Sequence, residues 1–462
     1  MISFRCLQLY LLPLLIVLPA LHAEKDSEEL NAALRELDAL YAEVLPWMAQ
    51  LYDPESGGFY ESIGLKEGKE PGEYGPDIQS TFFAIIILKN TGLLETMPTH
   101  AKEKMIHYFQ SRQDPQTGYF VDPDYPDMWD NQRVLGRALS FSVGSLEMLG
   151  SEPLYPLPGQ ARKSATTKSS DDENPSLRDA SKQIQDTNET RTGKTKNIYI
   201  VPNDATLSKQ EVADAPPHLA SVEAFRLWLD KRPWDYSWTA LDNLSSQSRL
   251  INALPPKLRN ALINEAIRYV SAIQEPDTGL IGGGDPQVRI SGAFKFVSFC
   301  KNSGRPVPRA DKLQTTIGEW FTSDPDIDKI FFIRNACDML FYLSRQTGQK
   351  PTEQELVNVV KFATNQLKQF RQDDGAFRSF TSGSFVSPND LYIDNNSISA
   401  QAGDQSEMNG TSNAHRAWKA VYWIIDKERP RMTMDNFWEV CLQQDIPLQT
   451  ESAGVNSIYI VP

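Results

Sequence analysis

Asp77, Asp130 and Asp285 each stand two residues before a glutamine, at Gln79, Gln132 and Gln287, and each opens a run poor in charge. Two carboxylates facing one another across a cleft cleave glycosidic bonds. One protonates the leaving oxygen while the other activates water or attacks carbon. Three equivalent copies also fit a plainer role, because an Asp ahead of an apolar run is a standard helix N-cap. A less repetitive stretch, Asp404 to Trp418, concentrates Glu407, Asn409, Asn413, His415 and Trp418. His415 and Trp418 share one helical face, and a histidine serves as acid, base or substrate clamp near neutral pH. A histidine packed into a helical wall, with Ser412 or Thr411 as cap, is the alternative.

Asp122, Asp124, Asp127 and Asp130 surround Trp129. A tryptophan flanked by carboxylates suits a sugar face or, through oxygen ligands, Ca²⁺; a solvated acidic loop suits the same residues. Trp234, Tyr236 and Trp238 cluster as core or as a platform for a ring substrate. Arg133, Arg137 and Arg289 are rare charges in apolar runs, where a charge is costly unless paired or facing water. They pair with the loop acids, or they neutralise a uronate carboxylate while Tyr74 or His415 removes the neighbouring proton. Asp130, Asp285, Glu407 and His415 are therefore the candidate catalytic residues. Asp77, Tyr74, Trp129, Arg133, Arg289, Asn409, Asn413 and Trp418 are the candidate substrate contacts. No cofactor or metal is expected: the histidines are scattered, and Gly282, Gly283 and Gly284 follow no strand that would make a phosphate loop.

These residues need a frame, and the frame repeats. Asp53 to Phe59, Asp114 to Phe120 and Glu275 to Ile281 all read acid, Pro, any, Thr or Ser, Gly, any, apolar; Asp373 to Phe377 is a shorter copy. Pro presets φ, Gly supplies positive φ, and the apolar residue returns the loop to the core. Each loop lies between an amphipathic and a mostly apolar helical run, the mark of a repeat architecture. The pairs are 24–48 with 77–89, 100–112 with 130–149, 218–229 with 237–254, 257–274 with 286–302, 312–321 with 327–345, and 353–370 with 412–425. Six hairpins predict an all-α (α/α)6 toroid, with apolar helices inside and the loops gathered at one mouth. An open α-solenoid fits the same pattern.

Residues 1–23 read as a cleavable export signal, with Arg5 before an apolar run too short to span a membrane. Hairpins one and two occupy 24–152 and hairpins three to six occupy 218–428. Between them, 153–217 is polar, low in complexity and expected to be largely disordered. Residues 429–462 form a C-terminal extension. The segments 198–202 and 458–462 repeat the same five β-prone residues, which predicts that they pair as a small two-strand element or occupy equivalent grooves. A net charge of −14 disfavours nucleic acid and anionic membranes as partners. Of four cysteines, one lies in the leader, and the remaining three make no disulfide framework.

The loops Gln113 to Phe120 and Gln274 to Gly279, with Gln372 to Phe377, resemble the repeats of the terpenoid cyclase and protein prenyltransferase α/α toroids. The resemblance covers about residues 28–150 and 218–426. It implies the toroid. The cyclase acid motif and the prenyltransferase zinc set are absent from the chain. The same ring occurs in six-hairpin glycosidases and polysaccharide lyases, which are commonly exported. The expectation is a secreted or periplasmic enzyme that cleaves a poly- or oligosaccharide at the mouth, by hydrolysis more than by elimination. A non-catalytic glycan- or protein-binding module and an isoprenoid-binding toroid are the alternatives.

Overall fold

A computed structural model of the chain describes residues 27–68, 75–160, 215–323, 325–385, 398–399 and 405–443. The architecture is predominantly helical. The amphipathic helices are α1 (Glu28–Ala39), α5 (Thr99–Gln110), α7 (Val222–Asp230), α10 (Pro256–Ile273), α12 (Ala310–Thr322) and α14 (Glu353–Lys368). The more buried set is α4 (Ile78–Thr91), α6 (Gln132–Met148), α8 (Ser237–Ser246), α11 (Pro286–Asn302), α13 (Ile330–Thr347) and α15 (Met408–Ile424). Short helices α2 (Val44–Ala49), α3 (Ile63–Lys66), α9 (Ser248–Ala253) and α16 (Phe437–Leu442) join or flank them. Within the second set, α4 packs on α6, α6 on α8, α8 on α11, α11 on α13, α13 on α15, and α15 on α4. Among the described residues no helix is long and apolar enough to cross a membrane.

Local chemistry explains the helix ends. Ser27 accepts the Leu30 amide at 3.2 Å, and Glu28 and Glu29 occupy the first turn, where the helix dipole favours anions. Thr352 and Glu355 form a reciprocal capping box on α14. The repeated loops share one construction. In each of the three full copies the glycine amide donates to the carbonyl of the leading acid, over 2.8–3.0 Å (Gly57 to Asp53, Gly118 to Asp114, Gly279 to Glu275). Single bridges close each loop: Tyr52 with Phe59, Gln113 with Phe120, Gln274 with Ile281. Gly118 has φ +77°, and a Cβ there would lie 2.1 Å from the Pro156 carbonyl oxygen.

In the second and third full copies a glutamine before the acid ties the loop to the segment that follows. The Gln113 amide donates to the carbonyls of Gly118 (3.2 Å) and Tyr155 (2.9 Å), and that of Gln274 to those of Gly279 (2.7 Å) and Pro308 (3.0 Å). The first residues assigned to the polar insertion, 153–160, are thus anchored on the second loop.

The first and last hairpins hold each other directly. Tyr41 stacks on Trp418 at 4.2 Å and its hydroxyl donates to the Ala414 carbonyl. Trp418 and Tyr422 both donate to Asp38, and the Met408 amide donates to the Glu61 carbonyl.

Several sequence boundaries shift for visible reasons. The run 24–48 is two helices, broken at residues 40–43. The run 237–254 breaks at Gln247, whose buried side chain turns to meet His218 at 2.8 Å. The last of the more buried helices begins at Met408, capped by Glu407 rather than by Thr411 or Ser412, because the Glu407 carboxylate accepts the Gly410 amide. A two-residue ladder pairs β1 (Ser384–Phe385) with β2 (Ile398–Ser399). The expected pairing of 198–202 with 458–462, the leader 1–23 and Tyr74 lie outside the described residues.

Candidate functional site

The six buried helices wall a cavity of about 900 Å³. Each turns one stripe toward it at helical spacing. From α8 come Trp238, Asp242 and Ser245; from α11, Phe294, Lys295, Ser298 and Lys301; from α13, Phe331, Arg334, Asp338 and Tyr342. Helix α6 adds Arg137 and Phe141, α15 adds Asn409, Asn413 and Arg416, and α4 adds Phe82 and Phe83. Trp238 stacks on Phe331 at 5.5 Å and Phe82 on Phe141 at 4.5 Å, so flat apolar faces alternate with polar groups.

Asp242 sits near the middle of this wall, 3% exposed. Lys295 lies 2.6 Å from one carboxylate oxygen, and Arg133 and Arg137 lie 3.1 and 3.5 Å from the other. Burial opposes ionisation, but Lys295, Arg137 and Arg133 together outweigh it and hold the carboxyl well below the usual range. Burial also pulls the Lys295 ammonium down against the attraction of Asp242. Asp338 receives the Arg334 guanidinium at 2.7 Å, and Arg416 approaches it at 4.0 Å. There desolvation prevails over Arg334 and Lys301, and the Asp338 carboxyl is pushed up. Two carboxylates in one wall are thus displaced in opposite directions.

The residues singled out in the sequence fall in three places. Asn409 and Asn413 line the cavity, with the Asn413 amide donating to the Asn409 carbonyl at 2.8 Å. Arg133 stands behind the wall on Asp242. Asp77, Glu407, His415 and Trp418 are buried and do not line it. Asp77 caps α4, its carboxylate accepting the Ser80 amide at 2.8 Å. Glu407 hydrogen-bonds Glu61; burial raises both carboxyls, and Glu407 raises Glu61 further, while the bond from Glu61 works against the rise at Glu407. His415 is fully enclosed against Trp418, and burial, with Arg429 and Lys419 nearby, drives it well toward the neutral form.

The remaining candidates lie elsewhere. Asp130 and Trp129 are exposed at the end of a 3₁₀ turn and border a different cavity, of about 600 Å³. Asn131, not Asp130, caps α6. Asp285 heads α11 without a side-chain capping bond, and Arg289 pairs with the loop acid Glu275 at 2.5 Å. Asp130 and Asp285 are thus outside the wall that holds Asp242 and Asp338.

Sequence reasoning missed Asp242, Lys295, Arg334 and Asp338. Their signal was present: a charge inside an apolar helix, and an Arg–Asp pair four residues apart on α13.

Neither a protein-family model nor a curated protein matches the chain. A solved structure, that of a protein from Actinoplanes, aligns with 86% of this chain and 98% of its own at 12% identity and a TM-score of 0.33, a likeness too low to carry an argument.

Proposed function

We propose that the six cavity-lining helices form the inner ring of an (α/α)6 toroid, and that the cavity binds and cleaves a poly- or oligosaccharide. The succession of packings from α4 through α15 and back to α4 supports the ring. The observation that carries the catalytic reading is the pair of wall carboxylates with opposed displacements, Asp242 held ionised and Asp338 pushed toward its protonated form. Titratable groups driven apart in this way mark acid and base roles. Asp338 donates a proton to the glycosidic oxygen. Asp242 supplies the ionised carboxylate that orients water and faces the positive charge developing on the sugar ring. Stacked aromatic faces take the apolar side of a sugar, while Asn409, Asn413 and Asn335 take hydroxyls. A dry, purely aromatic tunnel would have suited an isoprenoid; this wall is densely charged. The reading of residues 1–23 as an export signal is in keeping with a secreted or periplasmic protein.

The test is product mass spectrometry on a polysaccharide panel with the native protein and Asp338→Asn, both checked for native folding by circular dichroism. Water-added fragments that disappear in Asp338→Asn support the assignment. Unsaturated fragments move the reaction to elimination. No cleavage of any glycan sinks the catalytic reading.

A further inference from the structure

The cavity collects positive charge in an acidic protein. The chain carries a net charge of −14, yet among the described lining residues seven cationic side chains face two carboxylates. Arg249 and Lys329 are answered from outside the wall, by Glu147 at 2.7 Å and by Asp328 at 3.8 Å. Arg137 and Lys295 gather with Arg133 on the carboxylate of Asp242. Arg416 reaches Asp338 only at 4.0 Å, after Arg334 has already bound it. Lys301 bonds the Tyr342 hydroxyl. Holding cations together in a partly enclosed wall costs free energy unless a counter-charge arrives.

The placement of these charges matters as much as their number. On α11, Lys295 and Lys301 are six residues apart, roughly 9 Å along the axis at 1.5 Å per residue. On the α13 side, Lys329 precedes the helix, Arg334 lies about one turn in, and Tyr342, which holds Lys301, lies eight residues beyond Arg334, roughly 12 Å at the same rise. Positive groups therefore stand at both ends of the cavity and at mid-height. A single anionic head group would be gripped at one place. Charges spread along a cleft, between stacked aromatic faces and carboxamides, match a chain that carries an acidic group at intervals.

Resting on the carbohydrate reading above, we propose that the substrate is an acidic glycan, whose sugar units carry carboxylate or sulfate groups that pair with Lys301, Arg416 and the Arg137–Lys295–Arg334 belt. The electrostatic field of such a cleft also concentrates polyanions at its entrance, an effect that weakens with salt.

Calorimetric titration of the full chain tests this with oligogalacturonate and oligoalginate as carboxylated probes, oligosaccharides of chondroitin sulfate as sulfated probes, and neutral xylo- and laminari-oligosaccharides. Inorganic pyrophosphate is included as a non-sugar anion. The expected result is binding of acidic oligosaccharides only, weakened at high salt, and weakened roughly tenfold or more in Lys301→Gln and in Arg416→Gln. These two positions are at least partly solvent-accessible, so neither variant empties a buried ion pair. A preference for one acidic class identifies the charged group. Neutral oligosaccharides bound or cleaved as well as acidic ones overturn this inference and leave the carbohydrate reading standing. Pyrophosphate bound with no glycan bound overturns both readings; unchanged affinity for acidic glycans in both variants overturns the inference alone.

Discussion

Replacing Asp242 with Asn tests the centre of the cavity. The carboxylate is almost fully buried and three cations lie within 3.5 Å of it. At an effective dielectric near 20, a unit charge pair 4 Å apart attracts by about 4 kcal/mol. Desolvation offsets much of that attraction in the native protein. Removing one partner, however, leaves the remaining charges buried, and such losses run at about 3–5 kcal/mol. Asp242→Asn is therefore expected to lose about 3–5 kcal/mol in urea unfolding at pH 7. Asp242→Asn combined with Lys295→Met removes a cation together with the carboxylate. It is expected to recover at least about 1 kcal/mol of this, measured as the coupling in a double-mutant cycle. The pH dependence has a definite sign. A carboxyl whose native pKa is depressed contributes stability that is complete above its unfolded value, about 3.9, and is lost as pH falls below it. The native protein should show this acid limb and Asp242→Asn should lack it. Stability of the variant within about 1 kcal/mol of native, or parallel acid limbs, would refute the idea that Asp242 neutralises the belt.

Three further perturbations probe other parts of the chain. Glu61 keeps its proton because burial and the nearby Glu407 raise its pKa, so its contribution is full below the unfolded value, about 4.3, and is lost as pH rises through the native value. Glu61→Gln, neutral at every pH, should flatten the decline of thermal stability as pH rises above about 4.3; an identical decline in both proteins contradicts a Glu61 carboxyl raised by burial and by Glu407. Gly118→Ala places a Cβ against the Pro156 carbonyl at a positive φ and should cost about 1–3 kcal/mol, whereas a neutral result in urea unfolding would mean the 153–160 segment does not rest on that loop. The double variant Asp130→Asn/Asp285→Asn should keep the native product profile in the glycan panel, since both side chains lie off the wall that holds Asp242 and Asp338; loss of products returns the chemistry to these loops.

The helices were legible because their causes are local. The run from Ile78 to Leu88 carries no charge, and it became a helix buried on nearly all sides. The acid–Pro–Gly signature likewise specified a loop whose hydrogen bonds recur almost unchanged in three copies. The site was less legible, because a cavity wall is assembled from one stripe on each of six helices far apart in sequence. Asn409 and Asn413 were chosen for the polar density around them and do reach the cavity. His415 and Glu407 were chosen on the same ground, but they point into the contact between the first and last hairpins, where Tyr41, Trp418 and Glu61 enclose them. Periodicity cannot separate these two faces of α15, since both are buried.

Repetition itself separates structural from chemical residues in this chain. A group demanded by the frame must appear in every copy of the frame, as the leading acid and the glycine of the three full loops do, and their shared hydrogen bond stays within the loop. Asp77 follows that rule, capping the helix it precedes. Chemistry needs few copies, so its residues are the ones that break the repeat. Asp242 on α8, Lys295 on α11 and the Arg334–Asp338 pair on α13 occupy cavity-facing positions where α4 presents Phe82 and Phe83. Nothing in helix formation requires a charge at those positions, and burying one is unfavourable without a partner or a ligand. The cost is concentrated on one face, shared by side chains from separate hairpins, and absent from the repeated positions. That distribution is what a binding cavity would impose on an otherwise regular helical frame, and it is why the proposed reaction is built on the unrepeated charges rather than on the recurring aspartates.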